Sequence, residues 1–332
     1  MFEQANGLPE QIGEALGAKL PPLPASKRVC ICGMGASALA GEVVSDFSDD
    51  TGGLPITVVR GIELPRWVDR DTAAIFVSYS GDTKEVLIAY DEARRRGCRI
   101  ICLTAGGNLK QKCVQHKNAL VKVPTGLQSR GAFGYLLGYL SKILEEMKVC
   151  KAATALGEML PELKRHRDDL ISENNDLVEK IAEALLDKIP VIYSLENMRA
   201  SAIRWKTQIN ENSKIISFCG FFPEFNHNEI MGWMHDDKND VFIPVILYDD
   251  NAAKEIKEMA NTSVGMLDDK KLKTISYRVT GTSNLEKNLK CIMLGDFVSL
   301  RLARLRNTDP AADTPVEDVD SMIVLGATQK EP

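Results

Sequence analysis

The sequence has no apolar run long enough to cross a lipid bilayer, and its N-terminus does not show the basic and then apolar pattern of a secretory signal. It also has no excess of positive charge, because 46 acidic residues outnumber 41 lysines and arginines, for a net charge of −5. This balance argues against a general nucleic-acid binder. We therefore expect a cytoplasmic protein that binds neither membranes nor nucleic acids.

The eight cysteines form no paired Cys-x-x-Cys motifs, so we do not expect a structural zinc site. Cys30, Cys32 and Cys102 lie in apolar, strand-like runs, where a small thiol fits a core. Histidine is scarce, with 4 residues, and no cluster of histidine, cysteine and carboxylate suggests a metal site. The sequence therefore predicts a reducing compartment, no metal and no cofactor.

Short apolar strands alternate with helices along both halves of the chain, which predicts a doubly wound parallel sheet in each half. The predicted strands are 29–32, 56–59, 73–77, 99–103, 119–123, 190–194, 214–218, 241–248 and 274–279. The predicted helices include 4–16, 133–147, 200–210, 252–260 and 291–305, the last facing the first half or a partner subunit. We expect an α/β fold with two αβα domains, 1–150 and 151–332, and a ligand cleft between them.

A loop rich in hydroxyl groups connects a predicted strand to a predicted helix at residues 78–85, Ser-Tyr-Ser-Gly-Asp-Thr-Lys-Glu. Free backbone N–H groups and the helix dipole favour an anion at such a turn. The hydroxyls of Ser78, Ser80 and Thr83 can donate to a phosphate, and Gly81 allows close approach of the backbone. The alternative is an ordinary helix start with a cap at Ser80 or Thr83 and a capping box closed by Glu85.

A second strand–turn–helix unit contains Gly33-Met34-Gly35-Ala36-Ser37. No acidic residue closes the next strand at the place that a dinucleotide site requires. A glycine turn with a serine at the helix start suits a phosphosugar equally well. Ser37 is thus either a phosphate contact or a helix cap.

Three further residues have side chains suited to proton transfer or charge stabilisation. Arg130 lies in a predicted loop, where it is either solvated or able to hold a sugar oxygen and the charge that develops on it. Glu211 and His227 are predicted to lie on adjacent loops, as a base for a carbon acid and an acid for ring opening. The alternative is a helix-end carboxylate and a hydrogen-bonded loop histidine, although the helix dipole disfavours Glu211 there.

The combined pattern resembles the bifunctional phosphoglucose/phosphomannose isomerases over about residues 25–318. The hydroxyl loop alone marks the wider superfamily of sugar isomerase (SIS) domains. Two segments are more specific: Arg204-Trp205-Lys206 on a helix that ends in Asn210-Glu211, and Asn226-His227-Asn228-Glu229.

The resemblance implies two SIS-type domains and a metal-independent aldose–ketose isomerase. Such an enzyme interconverts glucose 6-phosphate and mannose 6-phosphate with fructose 6-phosphate through a cis-enediol. Glu211 would move a proton between C1 and C2, Arg130 would stabilise the enediolate, and His227 would open the ring from the second subunit of a homodimer. The phosphate would be held by Ser37, Ser78, Ser80 and Thr83, next to Gly35 and Gly81.

The C-terminus departs from the family. Thr314-Pro315-Val316 is present, but Ile323 stands about where the family has a functional lysine, and the only lysine beyond it is Lys330. Two alternatives therefore stay open: another SIS-type sugar-phosphate isomerase, and a non-catalytic phosphosugar-binding regulator. Glu211 and His227 together are more than phosphate sensing requires.

Overall fold

The computed structural model describes residues 1–235 and 239–312. The first half contains five strands: β1 (Arg28–Gly33), β2 (Ile56–Val59), β3 (Thr72–Val77), β4 (Arg99–Thr104) and β5 (Ala119–Lys122). They form one parallel sheet in the order β2-β1-β3-β4-β5. Its helices are α1 (Phe2–Asn6), α2 (Leu8–Gly17), α3 (Gly35–Asp50), α4 (Lys84–Arg95), α5 (Gly107–Gln115) and α6 (Phe133–Glu146).

The second half begins with two helices, α7 (Ala152–Leu170) and α8 (Leu177–Leu185). Its strands are β6 (Ile189–Ser194), β7 (Phe218–Phe221), β8 (Phe242–Asp249) and β9 (Ile275–Val279). They form a parallel sheet in the order β7-β6-β8-β9. The remaining helices are α9 (Arg199–Ser213), α10 (Glu229–His235), α11 (Lys254–Asp269) and α12 (Asn284–Leu305). Two parallel α/β domains are therefore present, as predicted.

One apolar core lies between the two sheets. Ile31 and Ile75 of the first sheet, Val245 of the second, and residues of α3, α6, α9 and α12 belong to this single cluster. The outer face of the first sheet packs against α4 and α5, and the outer face of the second packs in a third cluster with residues of α10 and α11. Strands buried on both faces explain the almost continuously apolar strand sequences.

Helix α12 lies in the middle of this core and packs against α9, α8, α7, α3 and α1. Most of its residues are buried, which explains an apolar sequence without a strong polar face. The segment predicted at 291–305 therefore does face the first half of the chain. The three cysteines predicted to be core residues are buried as well: Cys30, Cys32 and Cys102.

Two predicted elements are wrong. The helix predicted at 4–16 is divided at Gly7, and Pro9 lies in the first turn of α2, where proline is tolerated. The strand predicted at 214–218 is instead β7, Phe218–Phe221, because α9 continues to Ser213 and Lys214 ends it in the left-handed region with φ of 54°. The apolar pair Ile215-Ile216, which lies between α9 and β7, accounts for the displaced strand prediction.

In the described part of the chain, no helix combines the length and the apolar character that a membrane span requires. The predicted domain boundary lies between α6 and α7 and stays a prediction. Thr314-Pro315-Val316, Ile323 and Lys330 lie outside the described residues.

Candidate active site

The first sheet has a topological switch point between β1 and β3. From β1 the chain continues to the edge strand β2, whereas from β3 it continues to β4 on the other side. Gly33 and Val77 pair at the carboxyl ends of the two strands, so the loops that follow them start side by side. Ligands of open α/β sheets bind in this kind of crevice.

The hydroxyl loop, residues 78–83, lies on one side of this crevice. The Ser78 and Thr83 hydroxyl oxygens are 2.9 Å apart, and Ser78 Oγ accepts a hydrogen bond from the Gly81 N–H at 3.1 Å. Thr83 is the N-cap residue of α4, but its side chain makes no capping hydrogen bond. The capping-box alternative is therefore wrong for this loop, and two of the three hydroxyls form one cluster.

The hydroxyl loop is fixed by the loop that follows β4. Gly81 has φ of +81°, and a Cβ there would lie 2.0 Å from the Gly106 carbonyl oxygen. The Gly81 carbonyl accepts from the Leu109 N–H at 2.8 Å. Asp82 turns away from the crevice, since its Oδ1 accepts from the backbone and side-chain N–H groups of Asn108, both at 2.8 Å. Glycine at 81 is thus required by the packing of the two loops.

Ser37 and Gly35 lie on the other side of the crevice, in the first turn of α3. Gly35 has φ of +50°, which favours glycine at the start of the turn. Met34 is the N-cap residue, and no side chain caps this helix. The helix-cap alternative for Ser37 is therefore wrong. Ser37 is buried, as is Ser78 across the crevice.

Arg130 lies in a 3-10 turn, Ser129–Ala132, that contacts α3. Its side chain is not solvated, because the residue is only 6% exposed. Nε donates to Asn212 Oδ1 at 2.8 Å, Nη1 donates to Glu211 Oε2 at 3.4 Å, and Nη2 donates to the Pro310 carbonyl. Burial lowers the pKa of Arg130, and Glu211 partly offsets this.

Glu211 lies in the last turn of α9, and not on a loop as predicted. Its contact with Arg130 joins the second half of the chain to the first. The ion pair stabilises a carboxylate that the C-terminal end of the helix dipole disfavours. The side chain of Glu211 is 38% exposed, so one face of the carboxylate stays accessible next to a buried cation.

Lys214 is a second cation at this place. Its ammonium donates to the Glu211 carbonyl and, at 3.4 Å, to the Ala312 carbonyl. Burial and then Arg130 lower the pKa of Lys214, against the opposing effect of Glu211 and Asp309. Cations from both halves of the chain thus bind the segment that contains Pro310 and Ala312.

His227 is not brought to Glu211 within one chain. Helix α9 leads from the carboxyl end of β6 to the amino end of β7, so Glu211 lies at the amino edge of the second sheet. His227 follows β7 and therefore lies at the carboxyl edge. A helix of 15 residues spans about 22 Å. The expectation of adjacent loops is therefore wrong for a single subunit.

The other members of the Asn-His-Asn-Glu segment hold its loop in place. Asn226 donates to Ser263 Oγ at 2.7 Å, Asn228 donates to Glu224 at 2.6 Å, and Glu229 accepts from the Tyr193 hydroxyl at 2.7 Å. The His227 ring is exposed and has no hydrogen-bond partner within residues 1–235 and 239–312. The alternative of a hydrogen-bonded loop histidine is therefore wrong in the single chain.

Sequence reasoning singled out Arg204 but did not predict the polar contacts that surround Arg130. Asn212 contacts its side chain, Arg204 donates to its carbonyl at 2.9 Å, and Asp296 binds Arg204 through two contacts of 2.9 Å. Asp296 interrupts the apolar sequence of α12, and such a buried charge needs a partner. A charged residue within this apolar sequence was the signal that could have indicated a buried polar network.

In the part of the chain that the structure describes, no group of three or more histidine, cysteine or carboxylate side chains is arranged to hold a metal ion. The crevice presents hydroxyls, and the neighbouring turn that contacts α3 brings together the guanidinium of Arg130, the carboxylate of Glu211 and, next to it at the end of α9, the ammonium of Lys214. These groups can bind an anion and transfer a proton.

Comparisons with known proteins match each half of the chain to a family model of a SIS domain. The SIS domain family model matches residues 23–126, and a model described as the bacterial phospho-glucose isomerase C-terminal SIS domain matches residues 174–322. The C-terminal domain of glucosamine-fructose-6-phosphate aminotransferase from Francisella tularensis superposes with a TM-score of 0.74 over 93% of this chain and 96% of that chain. At 15% identity, this likeness shows a shared fold.

Two relatives match almost end to end. The bifunctional phosphoglucose/phosphomannose isomerase of Caldicellulosiruptor bescii is 33% identical, over 96% of this chain and 97% of the relative. The enzyme of the same name from Thermoplasma acidophilum is 34% identical, over 89% of each chain. The present chain therefore belongs to the bifunctional phosphoglucose/phosphomannose isomerase family.

Proposed function

We propose that this protein is an aldose–ketose isomerase that interconverts glucose 6-phosphate and mannose 6-phosphate with fructose 6-phosphate. The observation that carries the proposal is the pair of Arg130 and Glu211, a buried cation next to a partly accessible carboxylate. Isomerisation through a cis-enediol needs these two groups, a base for the carbon-bound proton and a cation for the charge that forms on oxygen.

The phosphate of the substrate binds in the crevice between β1 and β3. The hydroxyls of Ser37, Ser78, Ser80 and Thr83 are its donors, and Gly35 and Gly81 leave room beside them. The N-termini of α3 and α4 both begin at this crevice, so two helix dipoles favour the anion. Because the 3-10 turn with Arg130 contacts α3, a sugar held by its phosphate here reaches toward Arg130 and Glu211.

Glu211 removes the proton from C2 of the aldose or from C1 of the ketose and returns it to the neighbouring carbon. The electrons of the broken C–H bond form the enediolate, whose negative oxygen Arg130 stabilises. Rotation about C2–C3 in the open chain presents either face of C2 to the base. Such rotation gives glucose 6-phosphate or mannose 6-phosphate from the same intermediate.

His227 opens the sugar ring, and in this proposal it comes from the second subunit of a homodimer. The separation of Glu211 and His227 across the second sheet supports this arrangement. His227 is exposed, and the nearby apolar side chain of Met231 is 59% exposed. Ile216, which lies between Glu211 and the edge strand β7 in the sequence, is 60% exposed. We take these side chains as candidate contacts of the second subunit, since contiguous exposed apolar surface marks protein–protein contacts.

The test is a coupled assay of the purified protein with fructose 6-phosphate, without added metal and with a chelator present. Glucose 6-phosphate and mannose 6-phosphate are measured as separate products. The variant Glu211→Gln keeps the size of the side chain and removes the base. We expect both products from the wild type and a loss of about 100- to 10,000-fold in kcat for the variant.

Binding of fructose 6-phosphate, measured by calorimetry, is the control. We expect Glu211→Gln to bind it with an affinity close to that of the wild type. Absence of turnover in the wild type, with binding retained, would favour another sugar phosphate as substrate or a regulatory protein. A turnover equal in wild type and variant would remove Glu211 from the mechanism.

A further inference from the structure

The hydrogen bond from Arg130 to an amide is shorter than its contact with the carboxylate of Glu211. Arg130 Nε lies 2.8 Å from Asn212 Oδ1, whereas Nη1 lies 3.4 Å from Glu211 Oε2. Asn212 is completely buried, and Arg130 is 6% exposed. Among residues 1–235 and 239–312, the nearest side-chain partner of this cation is therefore neutral and removed from water.

The orientation of that amide is determined by its surroundings. Ser299 Oγ lies 2.8 Å from the Asp296 carbonyl, which can only accept, so the serine hydroxyl donates its proton there. Ser299 Oγ must then accept from Asn212 Nδ2, 2.9 Å away. Only Asn212 Oδ1 remains to face Arg130, so the side chain cannot turn over without losing two hydrogen bonds.

Helix α12 thereby fixes Arg130 from two directions. Ser299 orients Asn212, which holds the guanidinium. Asp296 binds Arg204, whose Nη2 donates to the Arg130 carbonyl at 2.9 Å and thus holds the backbone. Both the main chain and the side chain of Arg130 are therefore held, through Arg204 and Asn212, by residues of α12.

We propose that Asn212 is a positioning residue, which fixes the guanidinium of Arg130 without neutralising its charge. A carboxylate at the same place would form an ion pair with Nε and reduce the charge that reaches the enediolate. A neutral amide supplies the geometry and leaves the charge for the transition state. This inference rests on the proposed function, because it assigns Arg130 to the enediolate oxygen.

The test compares Asn212→Asp with Ser213→Ala. The first substitution keeps the shape of the side chain and adds a charge next to Arg130. The second removes a buried hydrogen bond of 2.7 Å from the adjacent residue to the Ser299 carbonyl, without touching Arg130. We expect kcat to fall about 10- to 100-fold in Asn212→Asp with KM within about threefold, and Ser213→Ala to keep the kcat of the wild type. Equal losses in the two variants, or no loss in Asn212→Asp, would overturn the inference.

Two further measurements separate this inference from the proposed function and from misfolding. Binding of a sugar-acid phosphate, whose carboxylate imitates the enediolate, is compared with binding of a sugar-alcohol phosphate. Asn212→Asp should weaken only the first, and this result does not need turnover. If the wild type is inactive but Asn212→Asp still weakens only sugar-acid binding, the isomerase proposal is contradicted and the positioning role stands. If Asn212→Asp and the wild type bind the sugar-acid phosphate equally well, the positioning role is rejected.

If Asn212→Asp does not fold, Ser299→Ala replaces it. This variant removes the acceptor that orients the amide. It should lower kcat and the affinity for the sugar-acid phosphate, each by a smaller factor than Asn212→Asp does. Retention of both values in folded Ser299→Ala would also overturn the proposal.

Discussion

Both sheets place a crevice at the carboxyl ends of two central strands from which the chain leaves in opposite directions. In the first sheet these strands are β1 and β3, and in the second they are β6 and β8. The first crevice presents serine and threonine hydroxyls. The second opens into a cavity of about 590 Å³. Among the described residues, its lining has one cation, Arg199, and five carboxylates, those of Asp46, Asp49, Asp50, Glu196 and Asp249.

The two crevices are also built differently. The loops of the first are held by backbone contacts that require Gly81 and Gly107, each in a left-handed conformation. In the second, the buried carboxylate of Asp249 accepts from Lys287 Nζ and from Asn197 Nδ2, both at 2.5 Å. Backbone packing leaves hydroxyls and N–H groups to a ligand in the first crevice, whereas the carboxylate of Asp249 in the second is occupied by Lys287 and Asn197.

The two crevices share their helix arrangement and differ in the charge of their side chains. Parallel topology gives both sheets helix N-termini at a switch point, which favours an anion. Carboxylates then cancel that preference in the second crevice. Of the two crevices, only the first is therefore expected to bind a dianionic phosphate.

The largest effect is expected from Asp249→Asn, which removes the charge that supports the second crevice. Lys287 is 3% exposed and would be left as an uncompensated buried cation. We expect a loss of about 3–5 kcal/mol in the free energy of unfolding, with kcat and KM unchanged in the folded protein. Urea unfolding measures the free energy of unfolding, and the coupled assay measures kcat and KM.

Asp250→Asn is the matched control for that variant. Asp250 pairs with Arg278 at 3.0 Å, but its side chain is 38% exposed. Solvent screens such a pair, so we expect a loss of at most about 1 kcal/mol. Similar losses in the two variants would contradict the view that a buried ion pair holds the second crevice.

The next effect comes from Ser80→Asp, which gives the first crevice the charge of the second. Ser80 is exposed, so a new carboxylate there stays hydrated and the chain still folds. Repulsion between unit charges about 4 Å apart costs roughly 1–4 kcal/mol in a partly hydrated site. We expect KM for fructose 6-phosphate to rise at least about tenfold.

Asn251→Asp places the same charge at the rim of the second crevice, on another exposed residue. It should leave KM unchanged. An equal rise of KM in both variants would show that the effect comes from the net charge of the protein and not from the phosphate crevice.

The fold was largely predictable because parallel strands and glycine turns have strong local signals. The five strands of the first sheet lie where their apolar runs predicted them, and the turns before α3 and α4 were found from Gly35 and the hydroxyl loop. The error at 214–218 had a local cause as well. Lys214 ends α9 in a left-handed conformation, which glycine usually adopts, so no glycine marked the helix end and the predicted helix stopped at 210.

The candidate site was predictable in its residue types but not in its arrangement. Glu211 and Arg130 meet, as a shared site requires, but their contact depends on how two sheets pack against α12. Asn212 and Asp296 contribute through a buried network that no local pattern announces. The separation of His227 from Glu211 follows from the parallel pairing of β6 and β7, which places the end of α9 and the loop after β7 at opposite edges of the sheet.

The smallest effect is expected from Asp46→Asn, at the acidic wall of the second crevice. Removal from bulk water, and then Glu42, Asp50 and Asp49, raise the pKa of Asp46 from 3.8 to about 6. The unfolded chain then loses this proton at a lower pH than the folded protein does. Stability therefore falls as the pH rises from about 4 to about 6, and stays constant above that range.

Asp46 keeps an exposed surface, so water screens the cost of its charge to about 1 kcal/mol or less. Asp46→Asn removes this titration, and we expect it to match the wild type near pH 4 and to be more stable above pH 6. Urea unfolding between about pH 4 and pH 7.5 measures the difference, and KM should stay constant because the first crevice is untouched. If the free energy of unfolding had the same pH dependence in wild type and variant, the carboxylates of the second crevice would be independent, solvated groups. The contrast between the two crevices would then rest on the hydroxyls of the first alone.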